Sequence, residues 1–232
     1  MKRHRRRVSV PVIAGWSRTR VPVTPDMRVV DIGSGAHPNA RADVLVDRDL
    51  FDDRHRAGSA LVRDGRPLVC ADVTALPFRQ GAFDFAIVSH LAEHVEVPAT
   101  MCSELSRIAI AGYVETPSPL CDVLLHEDYH LWRVSQGDGE LLFVRKGSDR
   151  RLARLTDRFY WIYNAAQPGC ARPTWQLPEG ALGRALGLLI RGGGGLLNRS
   201  GVMHTRLLFS PNRPLRCRVV ERPDSESRGR PS

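Results

Sequence analysis

Long apolar segments are absent from this chain of 232 residues. No stretch approaches the roughly 20 apolar residues that a membrane-spanning helix needs, so we expect no transmembrane segment. Cysteines are few, odd in number and scattered, without a C-x-x-C pair of the kind that binds zinc or forms a redox couple. They predict reduced thiols in a cytoplasmic protein. The five are Cys70, Cys102, Cys121, Cys170 and Cys217.

Lysine is nearly absent, because all but two of the 34 basic residues are arginine. The net charge of +9 is concentrated in residues 1–7, a basic arm that suits an anionic partner. The excess of arginine along the whole chain indicates a compositional bias, and no basic stripe carries interleaved aromatics, so a nucleic-acid partner is disfavoured. The apolar run 8–16 is broken by Pro11 and Gly15, which disfavours a signal peptide.

Short β-branched runs separated by Gly, Pro and Asp fill the first half of the chain. Their near-continuous apolar character is typical of parallel strands that are covered on both faces. A helix with Pro98 in its first turn is predicted over 98–108, between the last two runs, which indicates a βαβ crossover. The predicted fold is therefore α/β, a three-layer sandwich with a Rossmann-like, mostly parallel sheet. The predicted strands are 27–32, 44–46, 68–70, 83–88 and 112–115.

The pattern changes after Pro117, where segments 131–135 and 140–146 flank Gln-Gly-Asp-Gly and predict a β-hairpin. We interpret residues 118–150 as a small β-rich cap after the fifth strand. Further predictions are strands at 159–164 and 205–209, a helix at 179–190 and a flexible run at 192–195. The predicted organisation is a mobile arm over residues 1–20, one domain over 21–220 and a disordered tail over 221–232.

Acidic residues end successive apolar runs in the first half. Val29-Val30-Asp31-Ile32-Gly33-Ser34-Gly35 delivers a carboxylate into a Gly-x-Gly turn, where glycine allows backbone to approach a ligand closely. Asp47 ends the next run, at the place where a nucleoside-binding sheet positions an acceptor for ribose hydroxyls. Asp72 follows in Ala71-Asp72-Val73-Thr74-Ala75-Leu76-Pro77-Phe78.

The next segments are Phe83-Asp84-Phe85-Ala86-Ile87-Val88-Ser89-His90 and Glu93-His94-Val95. With these motifs, about residues 27–119 resemble the class I S-adenosylmethionine-dependent methyltransferases, in particular the type 11 methyltransferase-domain group. The resemblance implies an enzyme that uses S-adenosylmethionine to methylate an acceptor.

Carried over by position, the resemblance implies a cofactor site at the carboxyl edge of the sheet. Asp31, Gly33, Ser34 and Gly35 hold the methionine end, and Asp47 the ribose. Asp72 and the Val73 backbone face the adenine, while Ser89 and His90 lie beneath the sulfonium. On the acceptor side, His94 is the first candidate for a general base and Glu115 the second. His126, His130 and Trp132 are candidate contacts of the acceptor, which is expected to be a small metabolite or a glycan- or lipid-linked intermediate.

The chain departs from the family after the glycine turn. Ala36-His37-Pro38-Asn39 stand where the family continues to a third glycine and a long helix. Few residues remain before Asp47, so we expect that helix to be reduced to a turn. Pro38 also breaks the G-x-G-x-x-G pattern, which disfavours a nicotinamide-binding Rossmann fold.

Two alternatives stay open. His126-Glu127-Asp128-Tyr129-His130 matches H-E-x-x-H, which on a helix binds zinc and would make a hydrolase. The hairpin strand predicted directly after His130 leaves that helix no room, and no third ligand is evident, so we expect no metal. The second alternative is a noncatalytic S-adenosylmethionine-binding protein.

Overall fold

The computed structural model describes residues 12–51, 59–125, 127–147 and 202–221. Outside these residues lie the basic arm to residue 11, the predicted strand 159–164, the predicted helix 179–190, the run 192–195, Cys170 and the tail from residue 222. The strands are β1 (Val12–Ala14), β2 (Thr19–Val21), β3 (Val29–Ile32), β4 (Val44–Asp47), β5 (Leu68–Cys70), β6 (Phe83–Ser89), β7 (Ala109–Pro117), β8 (Trp132–Gly137), β9 (Glu140–Arg145), β10 (His204–Phe209) and β11 (Cys217–Val220). The helices are α1 (Pro98–Ile108) and α2 (Pro119–Leu125).

A six-stranded sheet in the order β10-β7-β6-β3-β4-β5 forms the centre of the molecule. The five strands from β7 to β5 are parallel, and β10 pairs antiparallel with β7 at the edge. All four residues of β3 are buried, as expected for a parallel strand that is covered on both faces. The sheet therefore confirms the predicted α/β class.

Helix α1 packs on one face of this sheet. Pro98 occupies its first turn, and the residues that share its buried face are Met101, Leu105 and Ile108. The helix ends at Ile108 because Ala109 is already extended and begins β7. The predicted bounds 98–108 are those of the helix, since proline fixed its start and the helical spacing of the apolar residues fixed its buried side.

The hairpin β1–β2 covers the opposite face. Ala14 and Val21 are buried there against sheet residues that include Phe85, Ile87 and Tyr113. The prediction of a mobile arm over residues 1–20 is therefore wrong for residues 12–20. The hairpin has no recognisable sequence pattern, because each of its strands is only three residues long.

A three-stranded sheet in the order β11-β9-β8 lies beside α1 and shares its core. The predicted hairpin is present as the β8–β9 pair, and β11 joins it from the far end of the chain, parallel to β9. Ser118 precedes α2, and its hydroxyl accepts a hydrogen bond from the Cys121 backbone N–H at 3.1 Å. Among the described residues, no helix has the length and apolar character needed to cross a membrane.

Gly112 of β7 lies in close contact with Phe209 of the neighbouring edge strand β10. A Cβ at this position would overlap the Phe209 ring and lie 2.6 Å from the Ala86 carbonyl oxygen. We expect Gly112→Ala to lower the free energy of unfolding by about 1–3 kcal/mol, because the added methyl overpacks the core. Urea unfolding followed by tryptophan fluorescence measures the change.

Gly137→Ala is the matched control, because a Cβ at Gly137 meets no atom within 4 Å. Its free energy of unfolding is expected to change by less than about 0.5 kcal/mol. Equal destabilisation by the two substitutions would contradict the packing argument at Gly112.

Candidate functional site

The turn after β3 is held by the neighbouring strand. The backbone N–H groups of Gly33 and Ser34 donate to the Val46 carbonyl at 2.8 and 3.1 Å. Gly33 and Gly35 adopt φ values of 71° and 52°, which glycine tolerates and most side chains do not. Residues 33–43 contain turns in place of a helix, as the short spacing to Asp47 predicts.

Asp31 lies under this turn, buried on the face that the hairpin covers. Its carboxylate accepts a hydrogen bond from the Asn39 N–H at 2.6 Å and so ties the far end of the turn to β3. Burial raises the pKa of Asp31 to about 6, although the Asn39 hydrogen bond and the charge of Arg66 act in the opposite direction.

Asp47 ends β4 next to the glycine turn. One carboxylate oxygen accepts from the Gly35 N–H at 3.0 Å and the other from the Asp49 N–H at 2.9 Å. The side chain is buried on the cleft wall, where its oxygens are turned toward backbone donors. Asp47 therefore organises the turn in addition to facing the cleft.

Asp72 follows β5 at the next position along the sheet edge. It accepts hydrogen bonds from the Thr74 N–H and hydroxyl at 2.8 and 2.7 Å and pairs with Arg48 at 3.1 Å. Partial burial would raise the pKa of Asp72, but these hydrogen bonds and the Arg48 charge lower it. The Arg48 side chain is 60% exposed, so it can leave Asp72 without uncovering a core.

These elements enclose a cleft of about 280 Å³ at the carboxyl ends of β3, β4, β5 and β6. This edge is where parallel α/β sheets bind ligands. The residues on its wall that matter for the chemistry are Gly33, Gly35, Asp47, Asp72, His90 and His94. Val73 also contributes to the wall.

Glu115 lies within the buried part of β7 and contacts the hairpin turn. It accepts hydrogen bonds from the Trp16 N–H at 2.6 Å, from the Ser17 N–H and hydroxyl, and from the Tyr113 hydroxyl at 2.6 Å. The Ser89 hydroxyl donates to it at 3.3 Å. Position 15 requires glycine, because a Cβ there would collide with the Glu115 carboxylate.

His90 connects Glu115 to a second buried acid. Its Nε2 lies 3.4 Å from Glu115 Oε1, and its Nδ1 lies 3.5 Å from Glu93 Oε1. Burial would lower the pKa of His90, but the two carboxylates raise it to about 9. Burial likewise would raise the pKa of Glu115, yet His90, together with His204 and Ser17, holds it at about 2. An inaccessible carboxylate with so low a pKa is poorly suited to the base role predicted for Glu115.

His94 is the last residue of the short 3-10 turn Ala92–His94 and lines the cleft. Its ring stacks on Tyr129 with centroids 5.5 Å apart and meets the His130 ring edge-on at 4.9 Å. His94 Nε2 is 3.8 Å from Glu93 Oε1. His130 is buried, with Nδ1 2.7 Å from Asp122 Oδ1. The acceptor-side residues His94 and His130 are thus brought together.

Trp132, another predicted acceptor contact, does not lie beside them. Trp132 is 1% exposed and belongs to the core, where its indole N–H donates to the Val95 carbonyl at 2.7 Å. The prediction of an acceptor contact at Trp132 is therefore wrong, because the hairpin turns its ring inward. His126 lies outside the described residues. The zincin geometry is not formed, since α2 ends at Leu125 and Asp128 and Tyr129 form a turn.

Several residues at the site had no sequence signal. Trp16 and Ser17 reach Glu115 across 99 and 98 positions of the chain. Arg48 is one arginine in an arginine-rich sequence, and His204 meets the His90 ring from β10 with centroids 5.3 Å apart. Glu93 lies in the motif Glu93-His94-Val95, in which His94 was the predicted functional residue.

The Glu115 network leads to a prediction about stability. Glu115→Gln is expected to lower the free energy of unfolding by about 3–5 kcal/mol, because it removes one of the two counter-charges of His90 and sets an amide N–H₂ against N–H and O–H donors. Urea unfolding measures the loss. The control Glu96→Gln changes an exposed carboxylate and is expected to be neutral. A similar small effect in both variants would show that Glu115 does not hold the hairpin.

Comparisons with known proteins locate the same region. Residues 30–113 match the family described as "Methyltransferase domain". An uncharacterized methyltransferase of Mycolicibacterium gilvum is 30% identical over 105 residues, which are 42% of this chain and 40% of the relative. The chain thus spans about two fifths of the length of that curated relative.

Solved structures described as methyltransferases also align with part of this chain. An S-adenosylmethionine-dependent methyltransferase from Mesorhizobium loti is 20% identical, with a TM-score of 0.31 over 59% of this chain and 60% of the other. A SAM-dependent methyltransferase from Aquifex aeolicus is 15% identical, with a TM-score of 0.29 over 40% and 57% of the two chains.

The family match contains the glycine turn and the three acids Asp31, Asp47 and Asp72, and it ends inside β7. Residues 30–113 of this chain are therefore similar to the methyltransferase domain family.

Proposed function

We propose that the chain is an enzyme that transfers a methyl group from S-adenosylmethionine to a small metabolite or to a glycan- or lipid-linked intermediate. The observation that carries the proposal is the cleft of the family-matched segment. Asp47 and Asp72 line it at the ends of the adjacent strands β4 and β5, next to the glycine turn that follows β3.

The cofactor assignments follow the resemblance by position, and those that line the cleft are Gly33, Gly35, Asp47, Asp72, Val73 and His90. Backbone groups of Gly33, Ser34 and Gly35, with Asp31 beneath them, hold the methionine end. Asp47 binds the ribose hydroxyls, and Asp72 with the Val73 backbone binds the adenine. This requires Arg48 to move away from Asp72, which its exposure permits. Ser89 and His90 lie under the place of the sulfonium.

Methyl transfer needs an aligned nucleophile more than it needs a strong base. S-adenosylmethionine supplies a methyl group that is already activated by its sulfonium, so alignment contributes much of the rate. We propose that His94 activates the acceptor, because it lies on the cleft wall and is 15% exposed. With S-adenosylmethionine bound, the methyl group would pass to the acceptor atom as the sulfur–carbon bond breaks. His94 would take the acceptor proton and release it to water, leaving the methylated acceptor and S-adenosylhomocysteine.

The rim beside His94 favours an acceptor with an apolar or sugar face. Tyr129 is 39% exposed with its ring parallel to His94, and Val97 on the cleft wall is 51% exposed. An exposed aromatic ring next to an imidazole suits a sugar ring or an apolar metabolite. A cytoplasmic location is part of the proposal, supported by the free thiols of the four described cysteines, Cys70, Cys102, Cys121 and Cys217.

Asp47→Asn tests the cofactor site directly. The variant keeps the size of the side chain but loses the charge and one acceptor, so the affinity for S-adenosylmethionine is expected to fall by about 10- to 100-fold, the loss of a charged hydrogen bond. Calorimetric titration of the full chain measures it. Asp138→Asn, in the β8–β9 turn at a φ of 50° that asparagine tolerates, is the matched control and should bind like the wild type.

Turnover is tested separately with a panel of acceptors. Release of S-adenosylhomocysteine with an acceptor of the proposed classes supports the enzyme. Cofactor binding without release from any acceptor class favours the noncatalytic alternative. No binding by the wild type overturns the proposed function.

The buried Asp31 predicts a pH dependence of cofactor binding. Its pKa in the folded chain is about 6, so the carboxylate that accepts from Asn39 and faces the cofactor ammonium is ionised above pH 6 and is lost below it. Affinity is expected to fall about tenfold between pH 7.5 and pH 5, as the proton competes with the ligand. Titrations across this range measure it, and Asp31→Asn, which cannot ionise, should bind weakly with a flat profile. An unchanged wild-type affinity at pH 5 would show that Asp31 has no part in binding.

A further inference from the structure

Glu93 is a buried carboxylate, 1% exposed, and among the described residues no donor hydrogen-bonds either of its oxygens. His90 Nδ1 and His94 Nε2 lie 3.5 and 3.8 Å from Oε1. His90 is a charge partner of Glu93, but the carboxylate oxygens keep the capacity to bind a further cation, which would offset the cost of their burial.

Two imidazoles beside Glu93 are oriented as metal-binding histidines are. His130 Nδ1 lies 2.7 Å from the Asp122 carboxylate, and His94 Nδ1 lies 3.4 Å from the Tyr129 carbonyl oxygen. Histidines that bind a metal commonly donate their second N–H to a carboxylate or a backbone carbonyl, which fixes the ring and the tautomer. In both residues this leaves Nε2 as the nitrogen that can bind a cation.

Asp122 is itself held in place. It accepts from Arg133 Nε and Lys146 Nζ, each at 3.2 Å, in addition to its contact with His130. The contact of His130 Nδ1 with this fixed carboxylate orients the ring and leaves Nε2 on its other side.

The structure assigns a binding site for a first-row divalent cation, zinc being the best fit, to Glu93, His94 and His130. One ligand atom from each of the three residues lies within 4.8 Å of the others. Two imidazoles and one carboxylate form a set that zinc uses with its fourth position open, at bond lengths of about 2.0–2.2 Å. Closing the three atoms onto one ion takes side-chain movements of about 1 Å, which follows from those bond lengths.

The neighbouring cluster of His90, Glu115 and His204 is a weaker candidate. The Glu115 oxygens already accept from Trp16, Ser17, Tyr113 and Ser89, so a cation there would have to displace backbone and hydroxyl donors. Among the described residues, Glu93 has no such donors to lose. The site shares His130 with the H-E-x-x-H pattern, whose first histidine, His126, lies outside the described residues.

The position of the site connects it to the cleft, because His94 lines the cleft wall. A cation bound there can present its open position to an acceptor hydroxyl and lower the pKa of that hydroxyl, so that the proton leaves to water before the oxygen attacks the methyl group. This last step rests on the proposed function, whereas cation binding does not. The activating role of His94 is then that of a ligand.

The test measures cation binding to the tag-free, chelator-treated full chain. Calorimetric titration with ZnCl₂ is expected to show one tight equivalent. Glu93→Gln and Asp122→Asn should weaken it about 10- to 100-fold, the first by removing a ligand and the second by releasing the ring of His130. His37→Gln, which changes a histidine outside the three-residue set, is the matched control and should bind like the wild type. Co²⁺ loading adds an optical readout, in which histidine and carboxylate ligands give visible bands without the thiolate charge-transfer band that cysteine ligands produce.

Each outcome decides the proposal. Weakened binding in both variants with an unchanged control supports the site, and far-ultraviolet circular dichroism of the variants separates loss of ligand from loss of fold. No zinc binding by the wild type, a thiolate band with Co²⁺, or full binding by Glu93→Gln overturns it, as does loss in His204→Gln alone, which would place the ion at the other cluster. Titration with S-adenosylmethionine on the same samples shows independently whether the cofactor proposal stands.

Discussion

The Glu115 carboxylate is buried at the meeting point of three separate parts of the chain. Its donors come from the hairpin turn at Trp16 and Ser17, from Ser89 at the end of β6, and from Tyr113 on its own strand. The positive His90 closes the network on the cleft side. A buried negative charge is stable only while all of these partners are present. Contacts with Glu115 therefore connect the hairpin, the end of the sheet and the cleft wall. His90 on the cleft wall is held by the same carboxylate that binds the hairpin turn.

The glycine turn shows a second constraint, which is set by chain length. Only eleven positions separate β3 from β4, and they contain turns where the family has a helix. Without that helix its N-terminal dipole is missing as a source of binding energy. Hydrogen bonds from the turn to Val46, Asp31 and Asp47 replace it as the means of fixing the backbone. In the proposed cofactor site, binding would then depend more on the two carboxylates than on a helix terminus.

Local signals in the sequence were sufficient for much of the fold and insufficient for the site. Helix α1 and the five parallel strands follow from apolar runs and one proline, all of which act within a few residues. The hairpin β1–β2 is stabilised by contacts with β7 about 100 positions away, so its own three-residue strands gave no pattern. The burial of Glu115 could not be predicted for the same reason, since residues that enclose it come from the unpredicted hairpin.

The histidines illustrate how spacing can mislead. H-E-x-x-H suggested that His130 acts with His126, but the turn at Asp128 and Tyr129 directs His130 toward Asp122 and His94 instead. His94 and His130 are 36 positions apart, and no spacing rule joins them. The fold places both of them beside buried carboxylates, His130 beside Asp122 and His94 beside Glu93. Asp122 pairs with Arg133, Lys146 and His130, whereas the ion-pair contacts of Glu93 among the described residues are to the imidazoles of His90 and His94, without a hydrogen bond to its oxygens. Of the two buried acids, one has its counter-charges supplied by the chain, and the other has the surroundings in which an external cation would be most strongly stabilised.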